Sequence, residues 1–283
     1  MTPRRRSGRR PGVIALGIAA AVLTAGGLAT SAVWAVAGGE WDAAVSWRKP
    51  TLFCFSSAVT CLSLAWAVTL RSPRRFDAAT HTAFAVAIVV EVGLITLQQA
   101  RGVPSHFNTA TDFDAAVLAG IKSTVAIVTA VIGLETLLAC GRLRATADVR
   151  LAARAGLFLL LLSCLIGFVI ELQGERELAA GRSPQTFGEA GVMKFPHGVP
   201  MHAIQILPTA AFLLRRVGAR TRLRLLCVEV VASGVVAATA YAASQTLLGR
   251  GRFDPAEISI VVTAASVLIF NIAARARRIF IRG

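Results

Sequence analysis

Charge is scarce in this chain of 283 residues, of which 16% are Asp, Glu, Lys or Arg. Soluble domains carry about 25%. So little charge cannot cover a water-facing surface, which excludes a soluble globular domain. Lysine is nearly missing, with Lys49, Lys122 and Lys194 the only three, and there are four histidines and one tyrosine. The five cysteines, Cys54, Cys61, Cys140, Cys164 and Cys227, form no CxxC pair and fall in or beside apolar runs. They read as small buried hydrophobes rather than a disulfide framework. The sequence also lacks a phosphate-binding glycine loop, a GxSxG elbow and a dinucleotide fingerprint, so the common soluble chemistries have no carrier.

Apolar length is what the chain has in quantity: 55% of residues are hydrophobic and the mean hydropathy is +0.66. A membrane span needs roughly 20 apolar residues. Eight runs approach or exceed that length: Val13–Ala37, Thr51–Leu70, His81–Gln98, Ala115–Cys140, Ala155–Leu172, Pro200–Leu214, Leu225–Leu248 and Ile258–Ala274. The sixth is the shortest and carries Pro208. None alternates with period two, and only helices satisfy their own backbone in lipid over such lengths. The expectation is an all-α, polytopic transmembrane bundle of about eight helices. It forms one transmembrane domain, residues 13–274, between basic tails at 1–12 and 275–283.

The 30 basic residues exceed the 15 acids by a formal +15, a surplus that suggests nucleic acid until it is sorted by position. Arginines precede the first run and fill the gaps after the second, fourth, sixth and eighth. These groups are Arg4 to Arg10; Arg71, Arg74 and Arg75; Arg142 to Arg154; Arg215 to Arg224; and Arg275 to Arg282. Sequestered in alternate loops, they make a topology signal and leave no nucleic-acid stripe. By the positive-inside rule both termini are cytoplasmic and the chain sits in the cell membrane with the lipid bilayer as its partner. Only two acids, Asp77 and Asp148, fall in these inner loops. Stretches such as Arg142–Arg154 are candidates for contact with anionic headgroups. The first run ends in Ala35-Val36-Ala37, a small-residue cleavage pattern, but it exceeds the roughly 7–15-residue core of a signal peptide. Cleavage there would leave seven helices in the same orientation. Arginine and alanine richness suits a high-GC bacterial genome.

Ionisable groups inside spans cost about 2.5–3.5 kcal/mol on insertion scales, so those retained mark sites. Here they are Glu91, Lys122, Glu135, Glu171 and Glu229. Glu135, Glu171 and Glu229 lie near span ends, within reach of headgroups. Glu91 lies near the midplane, and Lys122 is placed at a depth where the two can pair, either as a structural tie or as a proton-handling site. Gln98, seven residues from Glu91, shares its face. Ser56, Thr60 and Ser63 form one polar stripe, and His202, Gln205 and Thr209 another.

Three histidines, His106, His197 and His202, fall on the outer side, whereas His81 opens the third run. The outer segments repeat a phrase: Gly102-Val103-Pro104-Ser105-His106 is echoed by Gly198-Val199-Pro200-Met201-His202. Upstream, Ile95, Leu97, Gln98 and Arg101 are echoed by Ile170, Leu172, Gln173 and Arg176. Spans three–four and five–six thus read as a parallel hairpin repeat, an arrangement that places binding sites at its interface in transporters. Pro200 suits the first helical position, which leaves His197 in the preceding loop and His202 in the first turn. With His106 and an oxygen from Glu171 or an aspartate, the three rings form a candidate site for a divalent metal or haem. The bland reading of the same residues is a set of hydrogen-bonding anchors.

Ser105-His106-Phe107-Asn108 followed by Asp114, Trp47-Arg48-Lys49-Pro50, and His197 with His202, Ala203, Gln205 and Pro208 together resemble an uncharacterised family of bacterial multi-pass membrane proteins. The resemblance spans the second to sixth runs and implies no known activity. It departs at Val192-Met193-Lys194-Phe195-Pro196, where an acidic and basic pair is expected before His197. Three functional classes stay open. One is a membrane enzyme or redox protein with a metal or haem on His106, His197 and His202. The second is a proton-coupled secondary transporter or channel with a small-molecule or ion ligand, using Glu91 and Lys122. The third is a structural or sensory subunit. Glu91, Lys122 and Glu171 are the candidate catalytic groups.

Overall fold

The computed structural model describes residues 10–39, 45–182, 194–251, 253–254 and 256–280, with side chains to residue 272. Most of the basic N-terminal tail, the Val192-Met193 departure and the last arginines lie outside the described residues or side chains. The described residues form helices and turns with no strand. The helices are α1 (Pro11–Ala37), α2 (Arg48–Thr69), α3 (Asp77–Ala100), α4 (Asp112–Ala139), α5 (Ala147–Ala179), α6 (Lys194–Met201), α7 (Ala203–Arg216), α8 (Thr221–Leu247) and α9 (Glu257–Phe280). Six of them, α1 to α5 and α8, are long and apolar enough to cross a membrane. They overlie six of the eight expected runs, with ends within four residues except for α5, which extends its run by eight residues at the start and seven at the end. The eighth run lies within α9, of which Glu257–Ile272 is apolar among the residues whose side chains are described.

The sixth run is the main departure. It is not one helix opening at Pro200 but two, α6 and α7, with Pro200 inside the first and Pro208 inside the second. His202 stands at the break, with φ −86° and ψ 0°. Proline removes a backbone donor and crowds the preceding turn, so two of them eight residues apart favour interruption over one continuous rod. The amide of Gln205, oriented to satisfy its neighbours, donates to the carbonyl oxygens of Met201 (3.2 Å) and His202 (3.0 Å) and so caps the break. The fifth run is also longer than expected. α5 has 33 residues, about 50 Å at 1.5 Å per residue, against a hydrocarbon core of about 30 Å.

Two compact units divide the chain, Met1–Val131 and Ile132–Gly283. In the first, α1 packs on α2 and α3 through small residues. A Cβ added at Gly12 would come within 2.7 Å of the His81 ring, and one at Gly27 within 2.9 Å of Phe55. Leu16, Ala19, Leu23, Cys61, Leu64 and Phe84 fill the space between. In the second, alanines let α5, α7 and α8 approach closely: Ala152, Ala155, Ala203, Ala211 and Ala232 surround Leu159, Leu207 and Val228. Without a hydrophobic drive between helices in lipid, such small-residue contacts carry the association. Large apolar side chains such as Ile18, Leu28, Phe158 and Leu165 are left exposed, as lipid contact requires.

The arginine-rich turns are built by the arginines themselves. Arg10 donates to the carbonyl oxygens of Val68 (2.9 Å) and Arg71 (3.2 Å), closing the end of α2. Arg154 does the same for α4 through Ala139 and Gly141, at 2.8 Å each. Guanidinium groups suit these positions because helix C-termini present unpaired carbonyls and a partial negative charge. The two acids of the arginine-rich turns each take an arginine in their own unit. Arg71 grips Asp77 with two nitrogens at 2.7 and 3.0 Å. Arg224 Nε lies 2.7 Å from Asp148, which is wholly buried.

Candidate functional site

In the first unit the chemistry gathers where α3 ends and α4 begins. Gln98, wholly buried, donates its amide N–H to Asp114 Oδ1 at 2.9 Å. Thr111 donates to the other oxygen at 2.7 Å, and Arg101 reaches both Gln98 and Asp114. Arg101 also stacks over Phe113 at 4.6 Å. Charge-assisted donors on both oxygens keep the Asp114 carboxylate satisfied and tie the two helix ends together. Behind this knot Ile95 packs against Val117 and Ile121.

The same hairpin meets one of the chain's three lysines. Lys49, in the first turn of α2, donates to Ser105 Oγ at 2.6 Å and to His106 Nδ1 at 3.0 Å. An ammonium group has only donors, so His106 Nδ1 is the acceptor and the neutral ring carries its proton on Nε2. The next residue, Phe107, adopts φ 59°, a conformation unusual for a residue with a Cβ. Lys49, Pro50, Ile95, Gln99, Val103, Pro104 and Ser105 line a small cleft with room for about a single water-sized group.

Glu91 lies one turn from Ile95 along α3, near the middle of its span, and is buried. Among the described residues its carboxyl has no hydrogen bond or ion pair, and Lys49 is the cation whose field acts on it. The expected Glu91–Lys122 pair is therefore not formed. Ile121 is the α4 side chain turned to Ile95, and the next residue along a helix points about 100° away. Lys122 is half-buried on that other side and engages other groups.

The second unit holds the other two histidines. His197 belongs to α6, not to a loop, and packs against the middle of α5. Its Nδ1 lies 2.8 Å from the carbonyl oxygen of Ser163, while Ser163 Oγ donates to the His197 carbonyl oxygen at 2.7 Å. A carbonyl only accepts, so Nδ1 is the protonated nitrogen and Nε2 keeps its lone pair. Gly167, one turn from Ser163, leaves space for the ring: a Cβ there would stand 3.4 Å from His197 Cε1. His202 is exposed at the α6–α7 break. His106 thus falls in one unit and His197 and His202 in the other, so neither unit carries the full set of three.

Glu171 is half-buried within α5, which continues to Ala179, so it does not end its helix as expected. Glu135 is buried in α4 and Glu229 half-buried in α8. Thr60, Ser63 and Thr209 bond to carbonyls of their own helices, so the polar stripes are largely self-satisfied. The repeated phrase takes two conformations. Gly102 (φ 70°) sits in a turn after α3, whereas Gly198 lies inside helix α6. Sequence reasoning missed Lys49 as a contact and the small-residue row Gly156, Ser163, Gly167 on α5. Only the spacing of small residues in a Leu- and Phe-rich run hinted at the row. Comparison with protein-family models, curated proteins and solved structures finds no match.

Proposed function

We propose that the chain is a multi-pass protein of a bacterial cytoplasmic membrane, with eight crossings, α6 and α7 forming the sixth, and with both termini cytoplasmic. It belongs, on this reading, to the uncharacterised multi-pass family its motifs resemble. Its activity is the movement or coupling of protons or a small ion, centred on Glu91 with Lys49 in place of Lys122. The observation that carries this reading is a buried carboxyl at mid-span with no partner among the described residues. A charge at this depth costs about 2.5–3.5 kcal/mol, which makes a carboxyl held there a functional site by default. The small cleft beside Lys49 suits a proton or ion better than an organic molecule.

A second reading rests on His197. Donation of Nδ1–H to a backbone carbonyl is how ligating histidines are oriented, so a metal or haem on Nε2 is the alternative. A structural subunit is the third.

The test uses the full chain in proteoliposomes, wild type against Glu91→Gln. Infrared difference spectra between acid and alkaline pH should lose a carboxylic-acid band in the variant, and proton movement under an imposed potential should fall at least tenfold with an unchanged melting temperature. Identical bands and flux in both would refute the Glu91 reading. Metal or haem bound to the purified chain and lost in His197→Ala would favour the second, and a lowered melting temperature alone the third.

A further inference from the structure

Of the arginine-rich turns, that between α7 and α8 leaves the most positive charge unused. Arg215, Arg216, Arg220 and Arg222 are all exposed. Among the described residues none of the four guanidinium groups has an ion pair or hydrogen bond, and that of Arg216 stacks over Phe212 at 4.8 Å. No acid occurs in the sequence between Lys194 and Val228. The α4–α5 turn, which sequence favoured for headgroup contact, differs: Arg150 and Arg154 are spent on carbonyl oxygens of Ala145, Ala139 and Gly141. Only Arg142 and Arg144 remain exposed there.

The α7–α8 turn is also held in shape. Gly218 (φ 73°) closes α7, with Ala219 N–H donating back to the Leu214 carbonyl oxygen at 3.0 Å and Gly218 N–H to that of Arg215 at 3.1 Å. Arg224, anchored on Asp148, donates to the Ala219 carbonyl oxygen (2.8 Å) and to Thr221 Oγ1 (3.2 Å) from inside the turn. The four remaining guanidinium groups therefore project from a fixed frame. Among and beside them Phe212 (52% exposed), Val217 (78%) and Leu223 (50%) present apolar surface. Exposed apolar groups interleaved with arginines and no acid match one environment, the boundary where acyl chains meet anionic headgroups.

We infer that the α7–α8 turn is a binding surface for anionic phospholipid headgroups, with Arg215, Arg216, Arg220 and Arg222 contacting lipid phosphates and Phe212 and Val217 seated among the acyl chains. The inference rests on the membrane-spanning reading and not on Glu91, so either can fail alone. The probe is photo-activatable phosphatidylglycerol, compared with photo-activatable phosphatidylcholine, in nanodiscs holding the full chain. Phosphatidylglycerol should label the segment 212–223 preferentially. At roughly 1 kcal/mol, or about fivefold, per arginine, R215Q/R216Q/R220Q/R222Q should lower the apparent affinity by about two to three orders of magnitude. R142Q/R144Q should leave labelling at 212–223 unchanged. If the fourfold variant does not fold, R215Q/R216Q and R220Q/R222Q should each show a loss of roughly 25-fold. Equal labelling by both lipids, or labelling indifferent to the substitutions, would overturn the inference. So would inorganic phosphate abolishing labelling where chloride of equal ionic strength does not, since the ligand would then be free phosphate.

Discussion

The Asp148–Arg224 pair offers the sharpest test of how the second unit is held. Asp148 is wholly buried at the start of α5, and Arg224, 9% exposed, lies in the first turn of α8. Removing one member of a buried pair strands the other, at a cost of about 3–5 kcal/mol, whereas replacing both with apolar groups is often close to neutral. Arg224→Met should therefore cost about 3–5 kcal/mol, and Asp148→Leu a similar amount. The double variant should not return fully to wild type, because Arg224 also holds the Ala219 carbonyl oxygen and Thr221 Oγ1. Those bonds are worth roughly 1–2 kcal/mol together, which sets the expected cost of the double change. The coupling between the two sites is then about 4 kcal/mol or more, far above the additivity error of about 0.5 kcal/mol. Unfolding in mixed micelles, followed by circular dichroism with increasing SDS, measures all three variants. A double variant as unstable as the sum of the singles would mean that the contact is a screened surface pair and that the buried-pair reasoning is wrong.

Further outcomes follow from the same geometry. Gly156→Ala would place a Cβ 2.8 Å from the Ile204 Cα, a backbone atom that cannot step aside, and should cost about 1–3 kcal/mol. Gly167→Ala, 3.4 Å from a side-chain atom of His197, should cost less than about 1 kcal/mol; the same unfolding assay ranks the two. Asp114→Ala should cost about 1–3 kcal/mol by stranding the donors of Gln98 and Thr111. Hydrogen exchange at residues 98–114 should rise in that variant, and an unchanged pattern would count against the α3–α4 knot.

Particular elements show why some features were legible and others were not. Lipid demands continuous apolar helices, so α1 to α5 and α8 could be located by length alone. Asp77 and Asp148 stood out as the only acids among the arginine-rich loops, and each proves to be an arginine's partner. Lys122 misled because depth along a helix is readable from sequence but azimuth against a neighbour is not. A rotation of about 100° from Ile121 removes it from Glu91. His197 misled for a related reason. The preference of Pro200 for a first helical turn points to a helix opening there, yet it does not forbid an interior place when α5 offers Ser163 and Gly167 to receive the segment.

Composition and periodicity alone therefore determined that the chain is a bundle of membrane-length helices, with arginines sorted to alternate turns. The scarcity of charge makes any other solution too costly. Tertiary structure alone decided which polar groups meet. It engaged His106 with Lys49, tied Gln98 to Asp114, set His197 on Ser163 and, among the described residues, left the Glu91 carboxyl without a hydrogen bond or ion pair. Those pairings depend on helix rotation and on small residues that permit close approach, and neither leaves a period in the sequence.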